Sequence, residues 1–182
     1  MALTHYPVVN KNGDIITSAV TNLDLHDMAR AGKTYGVRAF YVVTPLEDQK
    51  TLIKRIVSHW VSGMGAKYNP KRREALELIC TRDSLEEVID HIGLENENLP
   101  KTVVTCAREV PGRIGFKKFR KMLKQGDPYL LVFGTAWGLS DDCISKADYV
   151  LDPIKGNSDY NHLSVRSAAS IMLDRLLGSN CE

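Results

Sequence analysis

Residues 148–177 read DYVLDPIKGNSDYNHLSVRSAASIMLDRLL. A short strand, Tyr149 to Leu151, ends in Leu-Asp-Pro-Ile. A polar loop rich in Gly and Asn follows, and an apolar helix from about Asn161 to Leu177 closes the pattern. Ala168, Ile171, Met172, Leu173, Leu176 and Leu177 cover more than one face of that helix, which predicts either deep packing or cover by a second subunit. At its start, Asn161, Ser164 and free backbone N–H groups can hydrogen-bond toward the ligand edge of a sheet. Simple N-capping by Asp159 or Asn161 is the plainer alternative.

Working outward, the same strand-then-helix pattern recurs upstream. Val37 to Thr44 is a nearly continuous apolar run, rich in β-branched and aromatic residues, as in a strand covered on both sides. Further strands are predicted at Thr4 to Val9, Leu76 to Thr81, Thr102 to Cys106 and Tyr129 to Phe133. Lys11-Asn12-Gly13-Asp14 predicts a tight turn after the first strand. Between the strands, helices are predicted after a Thr21 or Asn22 cap and from a Thr44-Pro45-Leu46-Glu47 capping box. Others follow from Asp83 to about His91, over Phe116 to Lys124, and after Ser140. This alternation argues for one α/β domain over residues 1–182, with a mostly parallel six-stranded sheet and helices on both faces.

Composition narrows the function classes. With 182 residues, 43% hydrophobic and 25% charged, the chain can bury a core and is neither disordered nor fibrous. Its longest apolar stretches, such as Tyr129 to Phe133, fall far short of the ~20 residues of a membrane helix, and Met1-Ala2-Leu3-Thr4-His5 lacks the regions of a signal peptide. A cytoplasmic protein with no membrane partner is expected. Cys80, Cys106, Cys143 and Cys181 form no C-x-x-C pair and the five histidines have no metal-ligand spacing, so no metal site is expected. The net charge of +2 leaves any polyanion to local basic patches.

No Walker-type phosphate loop and no G-x-G-x-x-G after the first strand is present. Phe133-Gly134-Thr135-Ala136-Trp137-Gly138 instead follows the strongest strand, at the carboxyl edge where open parallel sheets bind ligands. Glycine there allows close backbone approach to a ligand, so a Cβ at Gly134 is expected to fill the ligand's space. An ordinary strand-to-helix turn uses glycine as well.

Three separated stretches together resemble the SPOUT superfamily of knotted, S-adenosyl-L-methionine-dependent RNA methyltransferases. They are Thr21 to Arg30 with Thr34-Tyr35-Gly36-Val37; Leu131 to Thr135; and Leu151-Asp152-Pro153-Ile154 with Asn161 to Arg166. The resemblance spans residues 20–178. It implies a C-terminal trefoil knot that holds the methyl donor, a homodimer whose subunits share the active site, an RNA substrate (tRNA or rRNA) and no metal. The residues it places around the donor are Thr105, Ala107, Phe133, Gly134, Thr135, Gly138, Leu151, Pro153, Ile154, Asn161, Leu163 and Ser164. Leu151, Pro153, Ile154 and Leu163 suit the apolar faces of adenine.

For the acceptor, the resemblance points to Arg30, with Asn22 and His26 as lesser candidates. His26 and Arg30 are four apart and share a helix face. Arginine can grip a phosphate or stabilise charge on the nucleophile, and histidine can accept a proton near neutral pH. A solvated polar face is the competing reading. Two basic stretches, Arg108 to Lys124 and Lys67 to Arg73, could neutralise phosphates. The rival functions are a non-catalytic RNA-binding or regulatory module that retains the donor pocket, and an unknotted nucleotide-binding α/β domain.

Overall fold

In the computed structural model, which describes residues 1–96 and 98–179, the apolar runs pair as eight strands: β1 (Ala2–Thr4), β2 (Val8–Val9), β3 (Ile15–Ile16), β4 (Phe40–Val43), β5 (Ile79–Arg82), β6 (Lys101–Thr105), β7 (Tyr129–Gly134) and β8 (Tyr149–Leu151). Six of them form one sheet in the order β5-β4-β1-β7-β6-β8, every pairing parallel. The helices are α1 (Asn22–Thr34), α2 (Glu47–Val61), α3 (Met64–Tyr68), α4 (Pro70–Leu76), α5 (Leu85–Glu95), α6 (Phe116–Leu123), α7 (Asp141–Ser145) and α8 (Val165–Leu177).

Alternation along the strands sends neighbouring side chains to opposite faces. Leu3, Phe40, Val42, Val103, Leu131 and Phe133 meet Leu25 and Met28 of α1, Ile53 of α2, Leu76 of α4, Phe119 of α6 and Met172 of α8. Ala2, Tyr41, Val43, Val104, Leu130 and Val132 meet Val88 of α5 and Ile144 of α7 on the other side. A fully buried side chain of Leu or Phe size contributes about 2 kcal/mol, so both faces hold the sheet. This is the predicted α/β fold with helices on both faces.

Several boundaries differ from expectation. The predicted first strand, Thr4 to Val9, is two elements: Ala2–Thr4 enters the parallel sheet, while Val8–Val9 pairs antiparallel with Ile15–Ile16 across a turn at Gly13 (φ 88°). The Asn10 side-chain carbonyl organises that turn, accepting from the N–H groups of Asn12 (2.8 Å) and Asp14 (3.0 Å). The Thr44 capping box does not form. Thr44 is buried, α2 begins at Glu47, and the Glu47 carboxylate turns to Lys50 (2.6 Å).

Lys50 also draws in Asp83 (2.6 Å), so the cap of α5 moves to Ser84. Its hydroxyl accepts from Glu87 N–H (3.2 Å), while the Glu87 carboxylate accepts from Asp83 N–H (3.0 Å). Leu76 ends α4 instead of opening β5. α3 and α4 were not expected; helices this short depend on tertiary packing, here Arg72 over the Trp60 ring (4.5 Å). α8 starts at Val165, later than expected, because Ser164 is its cap. Cys181 lies outside the described residues. Among those residues, no helix is long and apolar enough to cross a membrane, and no group of His, Cys, Asp and Glu side chains could hold a metal ion.

Candidate active site

The strand order turns at β1 and β7: β4 and β5 lie to one side, β6 and β8 to the other. Carboxyl ends at such a reversal frame the crevice where parallel sheets bind ligands. Three loops meet there. Asn161 Nδ2, in the loop after β8, donates to the carbonyl of Ala107 in the loop after β6 (3.2 Å). His162 lies 6.5 Å from Trp137, ring centre to ring centre, which brings the same loop to the one after β7. Ile114 pairs beside β8, donating to Val150 O (2.8 Å) and accepting from Asp152 N–H (3.0 Å).

The loop after β7 is pinned by its own backbone. Trp137 N–H donates to Val9 O (3.0 Å), Val9 N–H to Gly138 O (3.0 Å) and Gly138 N–H to Thr135 O (2.9 Å). Ala136 (φ 51°) and Gly138 (φ 108°) take left-handed conformations to make the bend. A Cβ at Gly134 would sit 2.6 Å from Leu139 N and 2.9 Å from Gly138 C. The loop's own return therefore demands this glycine, and the expectation that a Cβ would merely fill ligand space is corrected.

The expected donor residues divide by exposure. Phe133, Leu151, Pro153 and Thr135 are buried, so they offer a ligand backbone atoms only. Thr135 Oγ1 donates to Thr4 O (3.0 Å) and Thr105 Oγ1 to Val132 O (3.1 Å). Ser164 Oγ accepts from Ser167 N–H (3.3 Å) as the helix cap, so the alternative of a cap at Asp159 or Asn161 does not hold. Ile154 is half-buried against the core. Ala107, Asn161 and Leu163 face solvent, and nothing lies within 4 Å of where a Cβ on Gly138 would be.

The three acceptor candidates follow at four-residue intervals along α1 and differ in their surroundings. Asn22 is the first residue of α1 and exposed, while Thr21 makes the cap. His26 packs edge-on against Trp60 (5.5 Å). Burial first, and the positive charge of Arg72 second, hold its pKa below the ordinary histidine value. Arg30 is exposed one turn further along.

Two polar groupings were not anticipated. Asp24, nearly fully buried in the first turn of α1, pairs with Arg166 of α8 (3.2 Å) and accepts from the Thr21 hydroxyl (2.7 Å); Arg166 also approaches Asp27 (3.7 Å). His5, Ser18 and Thr135 are linked beneath the loop after β7. Both residues of the Asp24–Arg166 pair lie in the quoted motifs, yet nothing in local spacing joins residues 142 positions apart.

The arginines of the basic stretches are engaged internally, while most of the lysines are not. Arg108 pairs with Asp141 (2.8 Å), Arg113 approaches Glu109 and Asp152 (3.6 Å each), and Arg120 donates to the carbonyls of Arg175 (3.3 Å) and Gly178 (2.7 Å). Lys71 and Arg73 pair with Glu74 and Glu77. Lys117, Lys118, Lys121 and Lys124 remain on the outer face of α6, while Phe119 is buried and Phe116 half-buried inward. Burial pushes the Cys143 thiol up to about 11, which keeps it protonated and unreactive.

A family model described as SAM-dependent RNA methyltransferase matches residues 1–178. A protein of Aquifex aeolicus described as uncharacterized is 40% identical over 181 residues, covering 99% of this chain and 88% of its own length. A protein of Oleidesulfovibrio alaskensis named tRNA (guanine-N(1)-)-methyltransferase is 44% identical over 177 residues, 97% of this chain; the chain spans only 41% of that relative's length. Among solved structures, a probable methylase family protein from Haemophilus influenzae superposes with a TM-score of 0.63 at 20% identity, over 96% of this chain and 63% of its own. The SpoU methyltransferase AviRb from Streptomyces viridochromogenes, solved with AdoMet, does so with a TM-score of 0.57 at 16% identity, over 97% and 55%. The structural likenesses carry the fold, and the family match carries the chemistry: the chain belongs to the SAM-dependent RNA methyltransferases, of the SPOUT class.

Proposed function

We propose that this chain transfers the methyl group of S-adenosyl-L-methionine to a nucleotide of tRNA or rRNA, tRNA being the substrate to test first. The donor would lie where the loops after β6, β7 and β8 meet. The observation that carries this reading is the Asn161–Ala107 hydrogen bond, which joins the loop after β8 to the loop after β6. The relatives named as tRNA methyltransferases support tRNA, although the chain spans about two fifths of their length.

The residues present fit such a donor. Leu163 and Ile154 offer aliphatic surface for adenine, and Gly138 and Ala107 leave backbone accessible on the opposite walls. When bound, the donor supplies an electrophilic methyl on a sulfonium. The chain's own work is then to orient the RNA nucleophile and compensate its charge. Arg30 is assigned that role: it is exposed and has no ion pair among the described residues. Asn22 is assigned a supporting contact at the helix start. His26, whose pKa burial lowers and whose ring packs on Trp60, would orient α1 against α2 and α4.

In this reading residues 152–164 thread past the loop after β6 to form the knot, and α1 with α8 meets a second copy to complete the site in the cytoplasm. Half-buried Ala168 and Ile171, with exposed Leu23, support that partner. The test is calorimetry with S-adenosyl-L-methionine, together with methyl incorporation into tRNA and rRNA from cells lacking the gene. Binding and incorporation are expected. Binding without incorporation into either RNA pool would favour a non-catalytic module, and binding of a mononucleotide but not of the donor would favour a nucleotide-binding domain.

A further inference from the structure

His5 stands at the end of β1, fully buried, and the proposed reaction does not use it. Its backbone is engaged on both sides: N–H donates to Val43 O (2.9 Å), and the carbonyl accepts from Ser18 N–H (2.9 Å). The second bond brings Ser18 Oγ within 2.9 Å of the imidazole Nδ1, and Ser18 Oγ bonds in turn to Thr135 Oγ1.

The direction of this chain is set at its far end. The carbonyl of Thr4 can only accept, so Thr135 donates its single hydroxyl proton there (3.0 Å). Ser18 must then donate to Thr135, and His5 must donate to Ser18 from Nδ1. Nδ1 therefore carries a proton, and Nε2 is buried with no partner among the described residues, so a second proton there, which would make the ring cationic, is disfavoured. Burial agrees, lowering the pKa to about 4 against the opposing charge of Asp24 and the bond to Ser18.

We propose that His5 is a positioning residue for the methyl donor: its Nδ1–H orients Ser18, and through it Thr135, the residue from which the loop after β7 departs. Thr135 immediately precedes Ala136, the one non-glycine residue with positive φ among the described residues, so its anchoring decides where that loop runs. Ser18 also lies three residues before Thr21, whose hydroxyl holds Asp24 and so the Arg166 pair at the start of α8. The segment thus ties the β7 loop to the helix that follows the β8 loop.

This inference rests on the donor site proposed above, and the experiment separates the two. Donor Kd, KM for donor and for RNA, and thermal midpoint are measured for the full chain and for Ser18→Ala, His5→Phe and His5→Asn. The first two variants should raise donor Kd and KM about three- to tenfold, the worth of one hydrogen bond, and leave KM for RNA unchanged. His5→Asn, whose amide N–H stands near the place of Nδ1–H, should restore donor affinity. Unchanged affinity in Ser18→Ala and His5→Phe, with the wild type binding normally, overturns the positioning role. A loss that follows thermal midpoint in all three variants, His5→Asn included, makes His5 purely structural and overturns it as well. A wild type that fails to bind the donor defeats the site itself, and this proposal with it.

Discussion

Gly134 and His5 show how single atoms govern the carboxyl edge of this sheet. At Gly134 even a methyl group meets the backbone of Leu139 at 2.6 Å, so Gly134→Ala should cost about 2 kcal/mol and weaken donor binding together with stability. Thermal denaturation and calorimetry would check this, and a variant of unchanged midpoint would show that the loop can yield. His5 gives a pH dependence whose sign is fixed by its depressed pKa. The unfolded ring titrates near 6.5 and the folded ring only at about 4, so on acidification the unfolded chain takes the proton first. The stabilisation is complete above pH 6.5 and is lost as pH falls toward 4, on the order of 3 kcal/mol in all. Denaturant titrations from pH 7 to 4 should show a shallower loss for His5→Asn than for wild type; equal slopes would place that proton uptake elsewhere. Arg30→Ala should spare donor affinity and lower methyl transfer about a hundredfold, the scale of one lost charge-stabilising group, as read by incorporation into RNA.

At the scale of elements, α1 and α8 are joined by an ion pair whose two ends differ in exposure. Asp24 keeps 9% of its side chain exposed and Arg166 37%, so Arg166→Leu strands a buried carboxylate while Asp24→Asn leaves a guanidinium that water still reaches. Arg166→Leu should therefore destabilise by about 3 kcal/mol and Asp24→Asn by less, with the double variant recovering part of the loss. A strictly additive double-mutant cycle in denaturant would dissolve the pair as an interaction. Such couplings escape sequence reading for a physical reason: helical periodicity reports which face is apolar, not which distant helix lies opposite. Caps are more legible, since they lie within one turn. Even so, Lys50, 33 residues before Asp83, competes for that carboxylate and moves the cap to Ser84.

For the whole molecule, the reading in which two copies share the site has a direct consequence. Leu23 is 60% exposed on α1, and Leu177 is 42% exposed at the end of α8. Sedimentation should find a dimer, and Leu23→Asp should shift it toward monomer without unfolding it; a wild type that stays monomeric at high concentration would remove the shared site. The strands Phe40–Val43 and Tyr129–Gly134 were legible in the sequence because burial on both faces leaves uninterrupted apolar runs. Val8–Val9 were misassigned to the first strand because β-branched residues look alike in a parallel strand and in a hairpin. The stretches that hold the expected donor residues do follow strands, but the sequence did not foretell that Phe133 and Leu151 turn their side chains into the core.

By itself, then, the order of residues determined the alternation of strands and helices, the class of sheet and the three motif stretches, because each follows from interactions among near neighbours and from which faces must leave water. Only the tertiary structure decided that β1 and β7 adjoin, that Gly134 serves its own loop, and that His5 meets Ser18 and Asp24 meets Arg166. Those outcomes depend on the order of strands in space, which brings together groups that no local pattern relates.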